Sequence, residues 1–103
     1  MEEKGQMKQL KIEIPKEVAE GKYSNFTVIS HSPAEFVIDF ARIMPGQNQA
    51  VVQTRVILTP IHAKTLLLTL MDNINKFEQK FGEIRIPEKE MNIPFSPDNE
   101  LPN

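Results

Sequence analysis

A chain of 103 residues has room for one domain with a modest core. It contains no cysteine, which excludes disulfide bonds, thiolate metal sites and cysteine nucleophiles and favours a reducing compartment. Twelve Lys and Arg against 14 Asp and Glu give a formal net charge of -2, a weak argument against non-specific binding to nucleic acid. The start, MEEKGQMKQL, resembles no signal peptide, and no apolar run approaches the roughly 20 residues of a membrane span. We therefore expect a cytoplasmic protein, and no pattern indicates a cofactor.

The first part of the chain predicts two strands. Residues 1–7 are mostly polar and are expected to be frayed, so that the domain begins at residue 8. From Met7, apolar side chains alternate with charged ones, an arrangement typical of a half-buried strand, and Pro15 ends it. Residues 16–22 are expected to form a connection, and Tyr23–Ser30 has the β-forming residues of a second strand.

Residues 32–44 allow two interpretations. Ser32-Pro33 predicts a turn, after which apolar residues alternate through a third strand from Phe36 to Ala41. Ser32 and Glu35 also fit a helix capping box with Pro33 at the first helical position. We favour the strand because β-branched and aromatic residues dominate the segment, and the helix remains open as the alternative.

The second half of the chain predicts a strand and a long helix. A loop at residues 45–49 precedes a fourth strand, Val51–Thr59. Thr59 suits a helix N-cap, Pro60 the first turn, and Gly82 a C-cap, so the helix should fill the interval between Thr59 and Gly82. Residues 83–86 could add a short strand, and 87–103 is expected to be a flexible, acidic, proline-rich tail.

The predicted fold class is therefore α+β: an antiparallel sheet of about four strands followed by one long amphipathic helix, in a single domain at residues 8–86. The helix is more apolar than one small sheet should need. Its first stripe is formed by Ala63, Leu67, Leu70, Ile74, Phe77 and Phe81, spaced four and three residues apart. The sheet should cover one face of this helix, and a second face would then need a partner. We predict a homo-oligomer, most simply a dimer, with an interface formed by Leu66, Leu68, Met71, Ile74, Phe77 and Phe81.

The chain has one set of polar residues that chemistry could use: His31, Glu35, Asp39, Arg55 and His62. A serine, His31 and Glu35 invite comparison with a hydrolase triad, but no glycine elbow or oxyanion-hole motif accompanies them, and the same residues are typical of a hydrogen-bonded turn. His62 has Leu66 four residues later, so a metal site lacks its usual helical spacing. Asp39 is expected on the outward side of its strand, opposite Arg55.

Several blocks of the sequence occur in a recognisable order. They are Tyr23 to Phe26 (YSNF), Ser30 to Phe40 (SHSPAEFVIDF), Pro45-Gly46, Val56 to Lys64 (VILTPIHAK), Asn73-Ile74 and Phe81 to Ile84 (FGEI). In these blocks, from about residue 23 to 84, the chain resembles the small bacterial proteins of domain-of-unknown-function family 3467. That resemblance implies no catalytic or binding residue. The order of strands and helix is also similar to that of SecB-type export chaperones, which is a likeness of architecture alone.

These observations favour a non-enzymatic, oligomeric binding or adaptor protein. Chaperone-like binding of other proteins is one form that this role could take. The alternatives are a nucleic-acid-associated regulatory protein and, third, a small hydrolase. A basic face would favour the former, and a deep pocket joining His31 to Glu35 would favour the latter.

Overall fold

A computed structural model describes residues 9–87, and the predicted frayed N-terminus at 1–7 and the tail from residue 88 onward lie outside them. The elements are α1 (Lys16–Ala19), β1 (Phe26–His31), β2 (Phe36–Ile43), β3 (Ala50–Leu58) and α2 (Pro60–Phe81). The strands form an antiparallel sheet in the order β1-β2-β3. The α+β class and the order of sheet and long helix are confirmed, but the described residues contain three strands where about four were predicted.

The prediction of a first strand ending at Pro15 is wrong. Residues 10–14 adopt no regular secondary structure and pair with no strand of the described chain. The alternation of apolar and charged side chains suits a segment to a sheet, but a strand forms only where a neighbouring strand supplies the backbone hydrogen bonds. That neighbour lies far away along the chain, so local sequence does not reveal it. The predicted connection that follows contains the one-turn helix α1, and residues 83–86 form no extra strand.

Residues 36–43 form the central strand, which settles the ambiguity at 32–44 in favour of β structure. Phe36 to Ile43 pairs with β1 on one side and with β3 on the other, so its backbone groups enter two ladders. The β1–β2 turn depends on Ser32, whose Oγ accepts hydrogen bonds from the backbone N–H groups of Ala34 and Glu35, both at 3.2 Å. The Ser32 N–H also donates to the Glu35 carbonyl at 2.9 Å, which closes the turn.

The β2–β3 connection is the predicted loop. The Gln47 N–H donates to the Met44 carbonyl, and Gly46 has a φ of 80°. Proline before such a glycine is the arrangement of a type II turn. Within the β2–β3 ladder, Phe40 pairs with Thr54 but Ala41 pairs with Val52, so Gln53 is the extra residue of a β-bulge.

The long helix begins and ends where its capping residues predict. The Thr59 hydroxyl accepts a hydrogen bond from the His62 N–H at 3.1 Å, and Pro60 is the first helical residue. At the other end, Gly82 has a φ of 104° and donates its N–H to the Glu78 carbonyl. The Glu78 carboxylate then accepts from the Ile84 N–H at 2.9 Å, so side chain and backbone together end the helix.

The two sides of the sheet follow from the register. The Phe40 face carries the side chains of Thr27, Ile29, His31, Phe36, Ile38, Phe40, Thr54, Val56 and Leu58, and the Asp39 face those of Phe26, Val28, Ser30, Val37, Asp39, Ala41, Arg55 and Ile57. Among the described residues only Ile38, Asp39 and Ala41 are buried. The core is therefore confined to the middle strand.

The sheet does not cover a face of the helix, contrary to the sequence prediction. No residue of α2 is buried, and the contacts of the helix with the sheet are few and made with β3, the strand that leads into it. A single residue, Thr59, separates β3 from α2, and the helix packs along neither of the other two strands. The first apolar stripe is thus as exposed as the second.

Candidate partner surface

The most prominent functional feature is the apolar surface of α2. At 100° per residue, seven large apolar side chains fall within an arc of about 140°. We call them the helix stripe: Leu66, Leu67, Leu70, Met71, Ile74, Phe77 and Phe81, which are 37–67% exposed. Phe77 and Phe81 contact one another with ring centroids 4.9 Å apart. Leu68 lies on the other side of the helix, nearer to Asp72 than to the stripe.

The area of the helix stripe can be compared with what a dimer needs. Complete burial of one such side chain contributes about 1.5–3 kcal/mol at ~25 cal/mol per Å², which corresponds to roughly 60–120 Å² of apolar surface. Since about half of each side chain is exposed, the seven together expose roughly 200–400 Å². A standard specific interface buries about 800 Å² per partner. The stripe therefore supplies a quarter to a half of a stable interface.

A second apolar feature is a groove on the Phe40 face. The segment from α1 to Lys22 crosses this face, and between it and the sheet lies a space of about 480 Å³. Val18 of α1 lines one side of the space, and Phe40, Thr54 and Val56 line the other. Most of the lining surface is apolar, which suits a hydrophobic side chain better than a polar ligand.

Of the polar candidates from the sequence, Asp39 and Arg55 form an ion pair. The two residues are directly opposite in the β2–β3 register, as the sequence predicts. Arg55 Nε donates to Asp39 Oδ1 at 2.7 Å and Nη2 donates to Oδ2 at 2.9 Å, a bidentate pair. Asp39 lies on the sheet face opposite that of Phe40, but the residue is buried there, with only 8% of it exposed. Its position on the middle strand encloses it, whereas the Arg55 side chain is 64% exposed.

The contacts with Arg55 favour the ionised form of Asp39. The hydrogen bonds from Arg55 lower the pKa of Asp39 below its usual 3.8, the positive charge of Arg55 adds to that effect, and desolvation opposes it. The same contacts raise the pKa of Arg55. A carboxylate held ionised in this way is a poor proton donor at neutral pH.

The other polar candidates are not gathered into one cluster. Ser30 and His31 are neighbours in β1 and point to opposite faces of the sheet, while the His31 ring stacks on Phe36 at 5.3 Å. Ser32 and Glu35 form the turn described above. His62 lies in the first turn of α2, with its Nδ1 3.4 Å from the Thr65 hydroxyl. Over residues 9–87, no group of three His, Cys, Asp or Glu side chains could hold a metal ion.

Sequence reasoning missed the residues that fasten the start of β1. The side-chain amide of Asn25 forms two hydrogen bonds with the backbone of Ile43. Its Oδ1 accepts from the Ile43 N–H at 2.8 Å, and its Nδ2 donates to the Ile43 carbonyl at 3.1 Å. The Ala41 carbonyl accepts from the Asn25 N–H and from the Ser24 hydroxyl. A Ser-Asn pair directly before a β-rich run is the signal that could have found this clamp. It gives the YSNF block a structural role.

The comparison with protein families supplies the identification. A family model described as "Protein of unknown function (DUF3467)" matches residues 1–86. The chain belongs to this family. Comparison with curated proteins and with solved structures gives no match. In the described part of this DUF3467 protein, the helices lack the combination of length and hydrophobicity that crossing a membrane requires.

Proposed function

We propose that this DUF3467 protein is a non-enzymatic binding or adaptor protein that works as a homo-oligomer, in which the helix stripe of one copy packs on a second copy. The observation that carries the proposal is the exposure of all seven side chains of the stripe on a helix with no buried residue. A surface of this kind is costly in water and is typical of an interface. A cytoplasmic location belongs to the same proposal, because the chain has no cysteine.

A second copy is the occupant that the structure favours for the stripe. The described chain buries only two hydrophobic residues, Ile38 and Ala41, which is little for a domain that must fold alone. A symmetric pair of copies would bury each exposed side chain twice, once in each half of the interface. The adaptor role follows from the sheet, whose β1 and β3 edges each offer a row of backbone groups to an extended segment of another protein.

The test combines oligomeric state and binding in the full chain. Light scattering coupled to gel filtration should give at least a dimer at tens of micromolar. Affinity capture from native lysate, followed by reconstitution with the purified candidate, should then give a stoichiometric complex of oligomer and partner. A monomer in the first measurement contradicts the oligomer, and an oligomer that captures only copies of itself contradicts the adaptor role.

A further inference from the structure

The segment Leu10–Ile14, which we call the arm, has the side-chain pattern of a strand but pairs with no strand among residues 9–87. Leu10, Ile12 and Ile14 alternate with Lys11 and Glu13, and the three apolar residues are 67–85% exposed. Pro15 follows, and its carbonyl accepts hydrogen bonds from the N–H groups of Val18 and Ala19 in α1, so the arm ends at a well-defined corner. Three large apolar side chains left in water on one side of a short segment indicate a surface that something else covers.

The edge of β3 matches the arm in length and pattern. The bulge at Gln53 interrupts the outer strand, and beyond it Thr54–Leu58 forms five regular residues, the same number as the arm. Thr54, Val56 and Leu58 point to the Phe40 face, while Arg55 and Ile57 point to the Asp39 face. As the last strand in the order β1-β2-β3, β3 has one side without a neighbouring strand in the described part of the chain.

We propose that the arm adds to the β3 edge of a second copy as an antiparallel fourth strand, with Ile12 opposite Val56. This register sets Leu10 and Ile14 opposite Leu58 and Thr54, so all three apolar side chains lie on the Phe40 face. There Ile12 and Ile14 stand beside the two β3 residues that line the groove under α1, which gives that space an apolar filling. The fourth strand expected from the sequence is thereby completed between chains.

The charges favour an antiparallel over a parallel arm, and the β3 edge over the β1 edge. In the antiparallel register Glu13 lies opposite Arg55, whose guanidinium uses two of its five N–H donors on Asp39 and is largely exposed. A parallel arm would place Lys11 there, a repulsive pair. On the Asp39 face, β1 carries Phe26, Val28 and Ser30, none of which is charged, so this edge does not distinguish Lys11 from Glu13.

A second copy is favoured over the chain's own edge. In the single chain the arm does not pair with its own β3, because the sheet of the described residues contains only β1, β2 and β3. The proposal rests on the proposed homo-oligomer, since a copy already held through the helix stripe presents its β3 edge at high local concentration. The stripe alone falls short of a standard interface, and the arm supplies further apolar area.

The test uses the absence of native cysteines in the chain. Lys11→Cys in a tagged chain is mixed with Ile57→Cys in an untagged chain and oxidised gently. The proposed register puts these positions opposite one another on the Asp39 face, within the Cα separation that a disulfide allows. The matched control is Ser30→Cys on β1, the other edge strand, because Ser30 and Ile57 lie on the same Asp39 face and both pair with Val37. We expect a tagged–untagged disulfide with Ile57→Cys, at least tenfold more abundant than with Ser30→Cys.

Three results would overturn the proposal. Equal cross-linking to both strands, or none to either, removes the assigned edge, and an intrachain disulfide in the Lys11→Cys, Ile57→Cys double variant assigns the arm to its own sheet. Light scattering of the reduced variants separates this failure from that of the proposed function. An oligomer without the Ile57→Cys cross-link refutes the arm alone, whereas a monomer refutes both.

Discussion

Shortening Leu70 to alanine should weaken the proposed dimer, because this residue lies near the middle of the helix stripe. Leu70 is 52% exposed in the single chain, and complete burial of a leucine contributes about 1.5–3 kcal/mol. Covering the exposed half therefore contributes about 0.8–1.5 kcal/mol per chain, and a symmetric interface contains the residue twice. The loss of about 1.5–3 kcal/mol corresponds to a rise in the dimer dissociation constant of about 10- to 100-fold.

The matched control is the same substitution two residues earlier. Leu68 is 54% exposed, nearly the same as Leu70, but lies about 160° away around the helix. Sedimentation equilibrium over a dilution series gives the dissociation constant of each variant, and circular dichroism checks that both keep their helix. Leu68→Ala should change the constant less than threefold, a surface effect of about 0.5 kcal/mol or less.

Two results would refute this reasoning. If Leu70→Ala leaves the dissociation constant unchanged, the helix stripe is not the interface. If the two variants weaken association equally, the partner covers both sides of the helix. The interface then includes Leu68, as predicted from the sequence, in addition to the helix stripe.

Two further predictions concern the single chain. A carboxyl whose pKa is lowered on folding adds stability above its unfolded pKa and loses that contribution as the pH falls through the folded value. Asp39→Asn should therefore have a lower free energy of unfolding in urea than the parent at pH 7, and the difference between the two should narrow below about pH 4. If the difference does not change with pH, the ionised Asp39 does not stabilise the fold through Arg55. Gly82→Ala should cost about 1–3 kcal/mol, because a φ of 104° suits glycine alone, and should lower the melting temperature by several degrees. Glu83→Ala is the control, and an equal shift in both variants would argue against backbone strain.

Much of the fold follows from local signals in the sequence. Thr59, Pro60 and Gly82 bound the long helix because a capping hydroxyl, a proline in the first turn and a glycine at positive φ act within a few residues. Ser32 predicts the β1–β2 turn for the same reason, since its hydroxyl bonds to nearby backbone groups. The Asp39–Arg55 pair could also be anticipated, because one correct alignment of two adjacent strands places the residues opposite each other.

What the sequence could not decide depends on partners distant along the chain. Residues 36–43 carry both a strand and a helix pattern, and pairing with strands on both sides selects the strand. Asp39 is buried because its strand is the middle one of the sheet. The alternation of apolar and polar residues in the sequence does not reveal the order of the strands. Leu10–Ile14 has the same kind of alternation as β2, yet it forms no strand because none of the described strands pairs with it. Side-chain pattern specifies which surface a segment must bury, and only the tertiary structure determines whether a neighbour is there to bury it.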